Sequence, residues 1–128
     1  MQIINNGNVG IRRRHVEATD VYEVADYVLE FNSEPIPTEY ATSGIFNFNW
    51  ADFDALDGMA YIEGSFDGIG WNKLDHSGSL LDAPTETQIW EFTSINVFWI
   101  RLHIDFNSVT SGVFGFSFKG EFNNAKNY

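Results

Sequence analysis

A chain of 128 residues, 44% hydrophobic and 16% aromatic, has the size of one domain and enough apolar material for a packed core, which excludes a disordered tail. Its net charge of −11, from 18 acids against 7 bases, is opposite to the basic footprint that DNA, RNA or an anionic membrane surface would require. The absence of cysteine removes disulfides, thiolate chemistry and Cys-based zinc sites, and no apolar run approaches the ~20 residues that span a bilayer.

The first segment, Met1 to Gly7, lacks the charged head and apolar stretch of a signal peptide, so synthesis and assembly in a cytosol are expected, with exit inside a particle still open to it. Residues 1–10 carry Asn5, Asn6, Gly7, Asn8 and Gly10 and read as an N-terminal arm, with residues 11–128 as a single domain. Residues 11–18 alternate loosely, as in an edge strand. Over 20–31 two patterns compete. Asp20 with Glu23 resembles a capping box, and Val21, Val24, Ala25 and Val28 fit helical spacing, whereas Tyr27 to Phe31 is strand-like. A loop or one helical turn leading into a short strand accommodates both.

The remaining chain reads as strands. Phe46, Phe48 and Trp50 share one face, with Asn47 and Asn49 between them. Met59 to Ser65, Trp71 to Asp75 and Gln88 to Phe92 follow. Residues 97–106 alternate strictly: Phe98, Ile100, Leu102, Ile104 and Phe106 on one face, Trp99, Arg101, His103 and Asp105 on the other. Such a strand is buried on one side only. Val113 to Phe122 repeats the pattern, with Phe114, Phe116 and Phe118 inward. Several strands separated by Gly, Asp and Ser turns indicate an all-β antiparallel sandwich. Its expected core is Phe46, Phe48, Trp50, Ile62, Trp71, Phe98, Ile100, Leu102, Ile104, Phe114, Phe116 and Phe118.

The most informative stretch is Gly64-Ser65-Phe66-Asp67-Gly68-Ile69-Gly70-Trp71. Asp-Gly between strands is a hairpin signal, because Gly takes positive φ and Asp caps the turn. This stretch resembles the Gly-Ser-x-Asp-Gly-x-x-Trp hairpin of discoidin-like (coagulation-factor C-type) jelly rolls. Phe98-Trp99-Ile100-Arg101-Leu102 is similar to that family's aromatic-x-Arg-aliphatic strand. Both signatures, with a Gly-rich last strand ending in Lys119-Gly120, resemble the short form found in tailed-phage virion proteins. The resemblance covers roughly residues 45–120 and implies a jelly roll. The signal peptide and end-joining disulfide of secreted members are missing here, which favours the phage form.

Chemistry-bearing patterns are sparse. His15, His76 and His103 lack metal spacing, and no nucleophile elbow, phosphate-binding loop or His-Glu-x-x-His occurs, so no enzyme is expected. Asp52, Asp54 and Asp57 precede Gly58 and suit a hard cation such as a structural Ca²⁺, although the spacing departs from an EF-hand; an acidic, turn-forming loop is the plainer explanation. Arg12, Arg13 and Arg14 hold three of the seven basic residues and serve either to blunt an edge strand or to dock an acidic partner. Trp99 and Arg101, outward on their strand, are further interface candidates. The leading expectation is a non-enzymatic structural protein of a tailed-phage virion, either head decoration or cement, or a tail or fibre component. It would contact capsid or tail proteins or further copies of itself. A carbohydrate-binding module taking a glycan is the alternative.

Overall fold

The computed structural model describes residues 2–4, 15–27, 29–38, 43–74 and 77–121. Two antiparallel sheets face each other. The first contains β1 (Gln2–Ile4), β2 (His15–Glu23), β11 (Val113–Glu121), β5 (Ser43–Ala51) and β9 (Glu86–Phe92), in that spatial order. In the second, β10 (Trp99–Asp105) and β6 (Gly58–Ser65) lie at the centre. The short strands β3 (Glu30–Asn32) and β4 (Ile36–Pro37) share the outer edge of β10. Likewise β7 (Asn72–Lys73) and β8 (Ser79–Leu81) share the far edge of β6. The chain crosses repeatedly between sheets and returns its last described strand beside β2, which is the topology of a jelly roll.

The sequence alternation becomes the two inner faces. Phe46, Phe48 and Trp50 of β5 lie opposite Phe118, Phe116 and Phe114 of β11 and make the first sheet's inner face aromatic. Ala60 and Ile62 of β6 meet Ile100, Leu102 and Ile104 of β10, so the second sheet's inner face is aliphatic. The rings stack within their own sheet: Phe46 on Phe116 at 5.2 Å and on Trp90 at 6.0 Å, and Phe48 against Trp50 at 5.2 Å. The buried Trp50 indole donates to Ala83 O at 2.7 Å, so its one polar atom is satisfied.

Two expected core residues lie elsewhere. Trp71 is half-buried on the outer face, because the turn before it returns the chain with the indole turned towards Arg101. Phe98 is 47% exposed, because the chain bends there before β10 begins and the alternation has not started. Ile95 and Val97 cover that end of the core instead. The region 20–31 is also reassigned. Asp20 to Glu23 continues β2, so no capping box forms, and the one helical turn is a 3-10 turn at Val24–Asp26. Within the expected arm, Gln2–Ile4 pairs with β2. The edge strand expected at 11–18 falls partly outside the described residues; its described part belongs to β2, which has β11 on one side and β1 on the other.

Gly68 and Gly112 both have positive φ, at 76° and 121°, yet they differ in space. A Cβ on Gly68 would meet only Trp99 Nε1, at 3.9 Å. A Cβ on Gly112 would stand 2.6 Å from the Phe53 ring and 2.8 Å from two backbone oxygens. We therefore expect Gly68→Ala to cost about 1–2 kcal/mol from backbone strain alone, and Gly112→Ala to cost clearly more. Chemical denaturation of the two variants tests this, and equal midpoints would contradict it. Ile100→Ala, by loss of burial and an unfilled cavity, should cost about 2–5 kcal/mol in the same assay.

Candidate functional site

The site is built on the outer face of the second sheet and starts at the hairpin that joins β6 to β7. Ser65 Oγ accepts from Gly68 N at 2.8 Å and from Asp67 N at 3.3 Å, and donates to Asp67 Oδ1 at 3.1 Å. Asp67 Oδ1 in turn accepts from Ile69 N at 2.8 Å and Gly70 N at 2.9 Å. These bonds, from Gly70 and Ile69 first, hold the Asp67 carboxyl below the usual carboxylate range. The Ser-x-Asp-Gly sequence thus closes the turn with its own side chains and fixes where Trp71 re-enters.

Behind the hairpin, cross-strand pairing arranges the face in rows. Trp99 pairs with Ser65, Arg101 with Glu63, and Glu63 in turn with Lys73. His103 pairs with Tyr61 on one side and Asn32 on the other, and Asp105 with Met59 and Glu30. Arg101 Nε donates to Glu63 Oε1 at 2.8 Å, and its guanidinium lies 4.2 Å from the Trp71 ring centre. An always-charged planar group held between a carboxylate and an indole is well suited to both contacts. Lys73 Nζ sits over the Tyr61 ring at 5.5 Å, and that ring lies 4.9 Å from His103. Burial, then the carboxylates of Glu63, Asp105 and Glu30, raise the Tyr61 pKa. His103 is only 8% exposed, with Nδ1 at 2.6 Å from Asn32 Oδ1 and Nε2 at 3.0 Å from Asp105 Oδ1.

This face offers rings, a fixed cation and carboxylates. Both ring nitrogens of His103 face Asn32 and Asp105 rather than a hydroxyl nucleophile.

Of the residues singled out in the sequence, Trp99 and Arg101 stand on this face as expected. Arg12, Arg13 and Arg14 lie outside the described residues. The structure does not bring Asp52, Asp54 and Asp57 together as one cluster; among the described residues the three-membered group of His and acidic side chains is Glu30, His103 and Asp105. Asp54 Oδ1 accepts from Thr110 N at 2.8 Å and Ser111 N at 3.2 Å, and Asp57 Oδ1 from Ser108 N at 3.1 Å. Both carboxylates therefore clamp the turn between β10 and β11. Glu63, Tyr61 and Asn32 were not singled out, and Trp71 was expected in the core rather than on this face. Outward alternation on β6 marks Tyr61 and Glu63, but their partners depend on the β6–β10 register.

No protein-family model and no curated protein sequence matches the chain. Among solved structures it is similar to the SPBc2 prophage-derived protein YomS, at 10% identity and a TM-score of 0.53 over 82% of this chain and 95% of that one. Weaker similarities include a family-4 carbohydrate-binding module (CBM4), at 16% identity and TM-score 0.47 over 68% of this chain and 56% of that one. Another is a Bacillus endospore appendage protein, at 9% identity and TM-score 0.45 over 87% and 89%. The YomS similarity supports the sandwich fold.

Hydrogen bonds from Thr110 and then Ser111 lower the Asp54 pKa from 3.8 to about 2. A depressed folded-state pKa contributes stability above the unfolded value, and that contribution is lost as pH falls through the folded one. The clamp should therefore weaken between about pH 4 and pH 2. Asp54→Asn should lower the denaturation midpoint at neutral pH and flatten this acid limb; an unchanged acid limb would show that the clamp contributes nothing.

Proposed function

We propose that this chain is a non-enzymatic structural protein of a tailed-phage particle that acts through protein–protein contacts. The observation that carries the contact role is an apolar cluster at the hairpin end. Ile69 is 84% exposed, Phe66 66% and Phe98 47%, with the Phe66 and Phe98 rings edge to face at 6.1 Å. The Ser65–Asp67 bonds hold the loop that displays Phe66 and Ile69, so little ordering entropy would be lost on docking. Exposed aromatic clusters on rigid supports mark protein contacts. The virion assignment draws support from the hairpin and late-strand signatures; a fold shared with a prophage-derived protein is compatible with it. Head decoration and a tail or fibre position both suit such a patch. Arg12, Arg13 and Arg14 would add a basic contact to an otherwise acidic body.

Phe66→Ser with Ile69→Ser tests the reading. Both residues are exposed, so stability should change by no more than about 0.5 kcal/mol per site. Incorporation into particles, measured by co-sedimentation and mass spectrometry of purified virions, should fall sharply. A folded double variant that enters particles like the wild type would refute the contact role.

One observation favours a second reading, a glycan-binding face. Trp71 and Trp99 are both half-buried, and Arg101, which stacks on Trp71, supplies a hydrogen-bonding group beside them. Continuing the β6–β7 register sets the Trp71 and Trp99 Cα positions on either side of Ser65, two strand spacings or about 10 Å apart. Binding on a glycan array that disappears in Trp99→Ala would favour this reading; wild-type silence on the array would remove it.

A further inference from the structure

We infer that Glu30, His103 and Asp105 form a binding site for a divalent transition-metal ion of the Zn²⁺ class. The site lies where the edge strand β3 meets β10. Asp105 stands directly across from Glu30, and His103 directly across from Asn32, all on the outer face. One donor atom from each of the three lies within 4.8 Å of the other two.

The arrangement around His103 points to a cation. Its Nδ1 faces the amide oxygen of Asn32 at 2.6 Å. That oxygen only accepts, so Nδ1 carries the hydrogen. In the neutral imidazole, Nε2 then holds a lone pair, and it faces a carboxylate oxygen of Asp105 at 3.0 Å. Two lone pairs at that distance repel unless a positive charge lies between them. A proton would answer for two atoms. A metal ion needs a further donor, and a carboxylate oxygen of Glu30 lies within 4.8 Å of the other two. The spacing also suits one: tetrahedral bonds of 2.0–2.1 Å place neighbouring ligand atoms about 3.3 Å apart, close to the 3.0 Å between His103 Nε2 and Asp105 Oδ1. Glu30 is exposed and free to close its remaining distance by rotation.

The outer contacts are of the kind that metal-binding imidazoles use. A ligating histidine donates its second N–H to a fixed oxygen, which sets the tautomer and ring orientation; Asn32 has that role here. Glu63 Oε1, 4.0 Å from Nδ1, adds negative charge behind the ring. One imidazole with two carboxylates selects a borderline ion such as Zn²⁺ over Ca²⁺ or Mg²⁺, which prefer all-oxygen sets. The ion would tie the three-residue β3 to the central β10, which is its partner among the described strands.

Isothermal titration of the full chain with Zn²⁺ tests the site. We expect binding at one ion per chain, with a raised melting temperature because the ion binds only the folded form. Glu30→Gln, which alters an exposed side chain, should weaken Zn²⁺ at least tenfold while leaving the metal-free melting temperature near wild type, and Asp105→Asn should weaken it at least as much. Asn32→Ala should weaken it by about tenfold through loss of ring orientation. Ca²⁺ and Mg²⁺ should bind far more weakly. Absence of Zn²⁺ binding at millimolar concentration would overturn the assignment, as would Zn²⁺ affinity unchanged in both Glu30→Gln and Asp105→Asn.

Discussion

The constraint on which the structure depends is the contact between an aromatic sheet face and an aliphatic one. Phenylalanines from β5 and β11 and the Trp50 and Trp90 rings form one wall; isoleucines and a leucine from β6 and β10 form the other. Side chains alternate along a strand with a period of two, so this contact leaves each strand no freedom of register. A slip of one residue in β10 would place Arg101, His103 and Asp105 in the core and expose Ile100, Leu102 and Ile104. Whatever the outer face does, its geometry is inherited from the inner one.

That dependence explains why a polar cluster on an outer face can be well ordered. Arg101 is held by Glu63 and Trp71, Tyr61 by Lys73 and His103, and His103 by Asn32 and Asp105. Each of these side chains has a strand beneath it whose position the core has already fixed. The hairpin contributes in the same manner, because Ser65 and Asp67 satisfy its backbone N–H groups locally and leave Phe66 and Ile69 facing outward.

Much of this was legible in the sequence, for a physical reason. Strict alternation in Ile45 to Trp50, Trp99 to Asp105 and Val113 to Phe118 reflects half-buried strands, and the structure places the inward residues of all three in the core. What failed was inference at strand ends. Phe98 and Trp71 both lie just outside regular pairing, where bends and turns, rather than periodicity, decide which way a side chain faces. The outer-face cluster was legible only in part. Trp99 and Arg101 could be read from one strand, but Glu63, Asn32 and Glu30 join them through pairings between residues 38 to 75 positions apart. Asp54 and Asp57 likewise showed their chemistry as turn-formers but not their destination, the distant β10–β11 turn.

The position of β11 has a consequence for how the protein comes into being. This strand lies between β2 and β5, so the centre of the first sheet is supplied by the last described strand in the chain. Its partners are made early: Phe116 pairs with Asp20 on one side and Phe48 on the other. During synthesis β2 and β5 emerge without the strand that lies between them, and the aromatic wall is incomplete until residues 113–121 have left the ribosome. Folding dominated by such distant pairings is slow, and the waiting strands expose apolar faces. For a strongly acidic chain, mutual repulsion between nascent copies then protects an intermediate whose exposed phenylalanines would otherwise drive it to aggregate.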